Sequence, residues 1–179
     1  MPSPKRALDV ATSFFGLVLL MPVLCVLGMV VMLSSPGPAI FRQTRLGRNE
    51  RPFVCYKFRT MYEGTAQRAT HEVGLSAITP VGSFLRKFKL DELPQLWNVL
   101  RGDMSLVGPR PCLSTQTELV GERRKRGVFA IPPGITGLAQ IEGVDMSEPE
   151  RLAELDETYM RDQSLGLDIG IIIRTIFRA

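Results

Sequence analysis

The chain has 179 residues, a net charge of +4 and 45% hydrophobic side chains, enough for one domain with a modest core plus an attached segment. The basic balance favours acidic partners such as anionic lipid, a phosphorylated substrate or nucleic acid. Its three cysteines, Cys25, Cys55 and Cys112, lie far apart with no C-x-x-C pair, and His71 is the only histidine. A zinc site is therefore set aside, and reduced thiols in a cytosolic compartment are expected. No repeat, low-complexity tract or Gly/Ser linker divides the chain.

From Val10 to Phe41 there is no charged residue. The run is too long for a signal peptide, and Ser34-Ser35-Pro36-Gly37-Pro38 reads as a turn leading onward rather than a cleavage site. A straight helix from Ala7 to Leu33 would be about 40 Å long and could cross the ~30 Å hydrocarbon layer. Pro22 sits in its middle, however, removing a helical hydrogen bond and leaving halves of about 20 Å. Lys5 and Arg6 flank one end, and Arg42, Arg45, Arg48 and Arg51 the other. Both ends therefore prefer the cytoplasmic side. A helix bent at Pro22 that dips into the bilayer and returns satisfies both, at the cost of carbonyls near Thr12–Val18 that need partners in lipid. The expectation is a re-entrant hairpin over residues 1–35 ahead of a domain over 36–179; a full crossing and a buried soluble helix are the alternatives.

Two strands follow, residues 39–47 and 52–61, with Arg48-Asn49-Glu50-Arg51 as the hairpin loop. The interleaved arginines and aromatics could suit nucleic acid, but beside a membrane segment they favour anionic lipid or a phosphate ligand, and no nucleic-acid partner is expected. His71, in a polar stretch, reads as a solvated surface histidine. Residues 81–90 combine Phe84, Leu85 and Phe88 with Arg86, Lys87 and Lys89, a pattern that suits an interfacial helix and equally an amphipathic core helix.

Leu90-Asp91-Glu92-Leu93-Pro94-Gln95 places two adjacent carboxylates where a helix should begin. Asp91 is read as its N-cap, Pro94 as a first-turn residue, and Leu93, Leu96, Trp97 and Leu100 as its buried face. Capping alone is the commonest role for such a pair. Gly102 should end the helix as a C′ residue. In Gly108-Pro109-Arg110-Pro111 two prolines stiffen the backbone around one arginine, which suits bidentate phosphate binding, although a rigid turn with a solvated arginine is the plain alternative. Glu122–Arg126 reads as a solvated charge run. Residues 131–141 form a stiff loop leading to a strand, one wall of a pocket with Gln140 as a substrate contact. Pro149–Arg161 is a helix with Leu152, Leu155 and Tyr159 on one face. Leu165–Phe177 is apolar except for Asp168 and Arg174 and suits a helix lying against the membrane or the core, with Asp168 as its N-cap or a functional carboxylate.

Taken together, Pro36-Gly37-Pro38, Phe41-Arg42-Gln43-x-Arg45-x-Gly47, Lys57-Phe58-Arg59-x-Met61, Leu90–Gln95, Gly102-Asp103-Met104-Ser105, Gly108–Pro111 and Pro133-Gly134-Ile135-Thr136-Gly137 resemble the bacterial monotopic phosphoglycosyl transferases, in family order over nearly the whole chain. The resemblance implies a small membrane-associated α/β catalytic domain with a Pro-broken re-entrant helix, a short β-hairpin and several amphipathic interfacial helices, without the extra transmembrane helices of larger relatives. It also implies transfer of a sugar-1-phosphate from a UDP-sugar to polyprenol (undecaprenyl) phosphate at the cytoplasmic face of the bacterial inner membrane, with release of UMP. Asp91 is then the nucleophile that forms a covalent phosphosugar-enzyme, Glu92 its partner, and Mg²⁺ the cofactor, with Asp91 and Asp168 as candidate ligands. Arg110 and Pro111 fall at the nucleotide and phosphate pocket; Arg42, Arg45, Arg59 and Arg86 are candidates for further phosphate contacts. A homodimer is left open. One departure is that Met21, where the family often has Ser, precedes Pro22. The rival readings are a membrane-bound nucleotide-sugar hydrolase with the same aspartyl chemistry, and a non-enzymatic basic module binding lipid or nucleic acid.

Overall fold

The computed structural model describes residues 4–64 and 77–177, so His71 lies outside the described residues. Helix α1 (Pro4–Ser34) continues through Pro22 rather than ending there. Its mean hydropathy reaches 2.8, and among the described residues it is the one helix long and apolar enough to cross a membrane. Phe14, Phe15, Val18, Leu19 and Met21 are exposed along its middle.

Both ends of α1 are fastened to the rest of the protein. At the start, Arg6 donates to the carbonyls of Val99 (2.6 Å) and Leu100 (2.9 Å), while buried Asp9 accepts from Ser105 Oγ (2.9 Å) and the Leu106 N–H (3.0 Å). At the end, Leu24, Leu27 and Val31 pack against Phe58 and Leu85. The Arg59 guanidinium donates to the carbonyls of Val31 (3.2 Å), Ser35 (2.7 Å) and Pro36, satisfying acceptors that a helix terminus leaves open.

Strands β1 (Ile40–Leu46) and β2 (Pro52–Phe58) pair antiparallel in the register Ile40↔Phe58 to Leu46↔Pro52. The turn at Arg48–Glu50 carries Asn49 and Glu50 at φ 57° and 58°. Helix α2 (Pro80–Lys87) is capped by Thr79, whose side chain accepts from the Gly82 N–H. Leu85 on α2 is buried, and Phe84 and Phe88 are exposed.

Helix α3 spans Gln95–Arg101 and ends at Gly102 in the left-handed region (φ 93°), the C′ position expected of it. Its start and its buried face differ from the sequence reading. Leu90–Glu92 is a separate 3₁₀ turn whose following N–H groups are taken by the carbonyls of Lys89 and Leu90, so Asp91 caps nothing. That turn rotates the register: Gln95, Asn98 and Val99 are buried, and Trp97 is 49% exposed. Asn98 stitches α3 to β2, donating to the Val54 carbonyl (2.7 Å) and accepting from the Tyr56 N–H (3.1 Å).

A short parallel pair, β3 (Ser105–Val107) and β4 (Gly134–Thr136), forms the second sheet. A Cβ at Gly134 or Gly137 would overlap the backbone of Gly108, so this approach requires glycine. Helices α4 (Thr117–Lys125), α5 (Leu138–Glu142), α6 (Pro149–Asp162) and α7 (Leu165–Phe177) complete the domain. Val99, Met104, Val107, Ile141, Tyr159 and Ile171 form the main core. α6 buries Leu152 and Tyr159 as expected. α7 is capped by Ser164, which accepts from the Leu167 N–H (3.2 Å), rather than by Asp168. The three cysteines are free thiols, two of them buried.

Asn98→Ala should lower stability by about 1–3 kcal/mol, because it removes a buried side chain that satisfies a half-buried carbonyl and a half-buried N–H; chemical denaturation against the parent protein measures it.

Candidate active site

A cavity of about 820 Å³ opens between the β-hairpin, the Leu90–Glu92 turn, β4 and α7. That is a size common for a small-molecule site. Asp91, Glu92, Lys57, Arg86, Lys89 and Arg110 line its polar side; Leu96, Leu106, Ile135 and Ile172 line its apolar side. Lys89, two residues ahead of Asp91, has φ 55°, a conformation that a side chain bearing a Cβ rarely adopts. Strain of this kind clusters where side chains must be aimed.

The two carboxylates have opposite surroundings. Glu92 Oε1 receives Lys57 Nζ at 2.7 Å and Arg110 Nη2 at 2.8 Å. Burial pushes the Glu92 carboxyl up, but the charges and hydrogen bonds of Arg110 and Lys57 outweigh it and hold the group down at about 2. Asp91 is 8% exposed, and among the described residues no hydrogen bond or ion pair engages its carboxylate. Burial, helped by the adjacent Glu92 charge, pushes it above the usual aspartate range against the pull of Lys57, Arg86 and Arg110. Glu92 is thus a fixed anion bound to two cations, and Asp91 a desolvated carboxylate with its oxygens open.

Arg86 donates from Nε to Thr60 Oγ1 (2.9 Å), which orients its guanidinium beside Asp91. Gln140 borders the cavity and donates to the Ile135 carbonyl (3.1 Å), while its Oε1 is buried and has no hydrogen-bond partner among the described residues.

The remaining sequence candidates are placed differently. Arg42 is exposed and does not line the cavity: Gln43 and Arg45 turn inward on β1, and the twofold alternation sends Arg42 to the other face. Arg45 borders the cavity, and three of its N–H donors are committed to Gln43 Oε1 (2.5 and 3.0 Å) and the Pro111 carbonyl (2.9 Å). Arg59 likewise borders it while capping α1. Pro111 contributes that carbonyl and does not line the cavity. Asp168 does not line it either: its carboxylate pairs with Lys5 (2.7 Å) and accepts from Tyr159 Oη (2.7 Å), tying the start of α1 to α6 and α7. Sequence reasoning missed Lys57 as the partner of Glu92, because a lysine inside an alternating strand looks solvated. It also took Arg123 for surface charge, whereas Arg123 is buried in an ion pair with Asp156 (2.6 Å).

Among the described residues no group of three His, Cys, Asp or Glu side chains could enclose a metal. A divalent cation held by one or two carboxylates and completed by phosphate oxygens and water needs no such cage, and Asp91 with the free Oε2 of Glu92 fits that donor set. An open carboxylate with cationic side chains around it is a combination suited to chemistry at phosphorus.

The pattern of the bacterial sugar transferase family matches residues 2–179, and the chain belongs to that family. It is 40% identical over 183 residues to the UDP-glucose:undecaprenyl-phosphate glucose-1-phosphate transferase of Escherichia coli (strain K12), covering 97% of this chain and 39% of that protein. The Caulobacter vibrioides protein of the same name is also 40% identical, covering 96% of this chain and 68% of its own length. The UDP-N-acetylgalactosamine-undecaprenyl-phosphate N-acetylgalactosaminephosphotransferase of Aeromonas hydrophila is 35% identical, with 98% and 44% covered. The chain therefore spans less than half the length of the E. coli and Aeromonas relatives.

The opposed environments predict opposite effects on stability. The Asp91 pKa is raised on folding, so its ionisation above the unfolded-state value opposes folding, and Asp91→Asn should raise the melting temperature at pH 7. Glu92 is depressed, so its contribution is present above the unfolded value of roughly 4.3 and is lost as pH falls through about 2. Glu92→Gln should lower the melting temperature at pH 7, by a margin that shrinks as the pH is taken below 4. Thermal melts across that range check both signs.

Proposed function

We propose that the protein transfers a sugar-1-phosphate from a UDP-sugar to polyprenol phosphate through a covalent intermediate on Asp91. The observation that carries the reading is the unpartnered, desolvated Asp91 carboxylate beside a Glu92 bound to Lys57 and Arg110. Related proteins named as undecaprenyl-phosphate sugar phosphotransferases support the choice of donor and acceptor.

In the first step an Asp91 oxygen attacks the β-phosphorus of the donor. The bond from that phosphorus to the oxygen bridging the two phosphates breaks, and UMP leaves with the oxygen and its electron pair. In the second step a phosphate oxygen of the polyprenol attacks the acyl phosphate, forming the polyprenyl diphosphate sugar and returning Asp91 as carboxylate. Arg86, Lys57 and Arg110 offset the charge repulsion between two anions. The raised pKa of Asp91 makes its ionised form a stronger base and hence a better nucleophile than an ordinary aspartate. Mg²⁺, held by Asp91 and Glu92 together with the diphosphate, would supply Lewis-acid charge neutralisation.

The acceptor is a membrane lipid, and α1 is the segment that brings the site to it. A straight helix of 31 residues is about 46 Å long, and a single crossing would carry its two ends to opposite faces of the bilayer. Lys5, Arg6 and Asp9 at one end and Val31 at the other are all held by the same body, which supports a re-entrant insertion with both ends on the cytoplasmic face of the inner membrane. Exposed arginines of the β-hairpin, among them Arg42 and Arg48, would then meet anionic headgroups.

UMP release, assayed over a panel of UDP-sugars with polyprenol phosphate and Mg²⁺, should require the lipid for sustained turnover and stop when the metal is chelated. Release that proceeds equally without the lipid would indicate a hydrolase. Asp91→Asn should lose at least a thousandfold in rate, in line with removing a nucleophile; normal turnover in it would sink the assignment. The acid limb of kcat/KM should fall with an apparent pKa above the ~3.9 of a free aspartate, since protonating Asp91 removes the attacking lone pair.

A further inference from the structure

Arg123 lies in a run of charged residues on α4, yet its side chain is only 2% exposed. Nε and Nη2 both donate to Asp156 Oδ2 on α6, at 2.9 and 2.6 Å. Nη1 donates to the main-chain carbonyl of Arg110 at 2.8 Å. Burial pushes the Asp156 carboxyl up even with Arg123 against it, so the pair is expensive to desolvate. Leu119, Val120, Leu152 and Ala153 already pack α4 against α6, and holding two helices together does not require an ion pair. What a guanidinium does there that a hydrocarbon cannot is hold a carbonyl.

That carbonyl is one of four consecutive held ones. Pro109 O accepts from the Gly134 N–H (2.9 Å), Pro111 O from Arg45 (2.9 Å) and Cys112 O from the Leu46 N–H (2.9 Å). The segment that presents the Arg110 side chain to Glu92 is thus fixed residue by residue, and at Arg110 itself the fixing group is Arg123.

We propose that Arg123, locked in place by Asp156, is a positioning residue that sets the backbone of Arg110 so that its guanidinium reaches both Glu92 and the donor diphosphate. This rests on the functional reading above, which puts Arg110 at the donor site. Arg123 touches no substrate and acts through Arg110.

The test uses the full chain in detergent or nanodiscs, with UDP and Mg²⁺ as the probe. The paired substitution Arg123→Met with Asp156→Leu removes both charges, so neither is left buried alone. It should weaken UDP binding about tenfold while the melting temperature stays close to that of the parent. Arg110→Ala should lose at least as much, and combining all three substitutions should add nothing to the loss from Arg110→Ala, because residues acting on one contact are not additive. Arg123→Lys, which keeps the charge opposite Asp156 but not the planar fork, provides the same reading if the apolar pair fails to fold: about tenfold weaker binding supports the proposal. Parental UDP affinity in either Arg123 variant, or losses that multiply in the combination, would overturn it. Parental affinity in Arg110→Ala would instead remove Arg110 from the donor site, and with it the reading on which the proposal stands.

Discussion

Everything at the site depends on the double ion pair of Glu92. Lys57 and Arg110 converge on one of its oxygens at 2.7 and 2.8 Å, arriving from β2 and from the Gly108–Pro111 segment. Glu92 is thereby kept ionised, and its charge then acts on its neighbour. Asp91, one residue earlier, has no direct ion pair among the described residues, is removed from water and faces a permanent negative charge. Two carboxylates adjacent in sequence are driven apart in acidity by their surroundings, one held as a fixed anion and the other raised above its ordinary range. The pair should be read as a coupled unit, since each charge is part of the other's environment.

The same logic orders the rest of the fold. Lys57 is placed by the β-hairpin, the hairpin is held to α3 by Asn98, and α3 receives Arg6 from the start of α1 at its C-terminal carbonyls. Arg59 closes the far end of α1, one residue past the strand that carries Lys57. A helix whose apolar middle is bare and whose two ends are both tied down forces any bilayer that solvates it to lie alongside the cavity. The apolar helix and the cavity thus share one rigid frame, so their spacing is set by packing rather than by a linker.

Much of this could be read from the sequence, and the failures have physical causes. The hairpin, Gly102 as the helix terminator, the apolar face of α6 and the acidic pair itself depend on local chemistry: alternation, a left-handed φ, helical spacing. What could not be read depended on contacts between residues far apart in the chain. Nothing at Asp91 reveals that the following N–H groups are taken by the 3₁₀ turn, so a cap was expected where a free carboxylate stands. Arginines could be listed but not sorted: Arg86 borders the cavity beside Asp91, whereas Arg45 and Arg59 hold carbonyls, Arg42 faces outward, and Arg123 is buried in what reads as a surface charge run. The apolar setting of Asp168 leaves a cap and a functional carboxylate equally open in the sequence; its distant partners, Lys5 and Tyr159, show that it ties down the start of α1.

The claim that Asp91 carries the sugar phosphate is tested most directly with a donor labelled in its β-phosphate. Incubated with Mg²⁺ and no polyprenol phosphate, the protein should take up label on the peptide containing Asp91, identified by mass spectrometry, and surrender it to the lipid when polyprenol phosphate is added. Transfer of the label to lipid in a protein that never becomes labelled, or label on any other residue, would contradict the account.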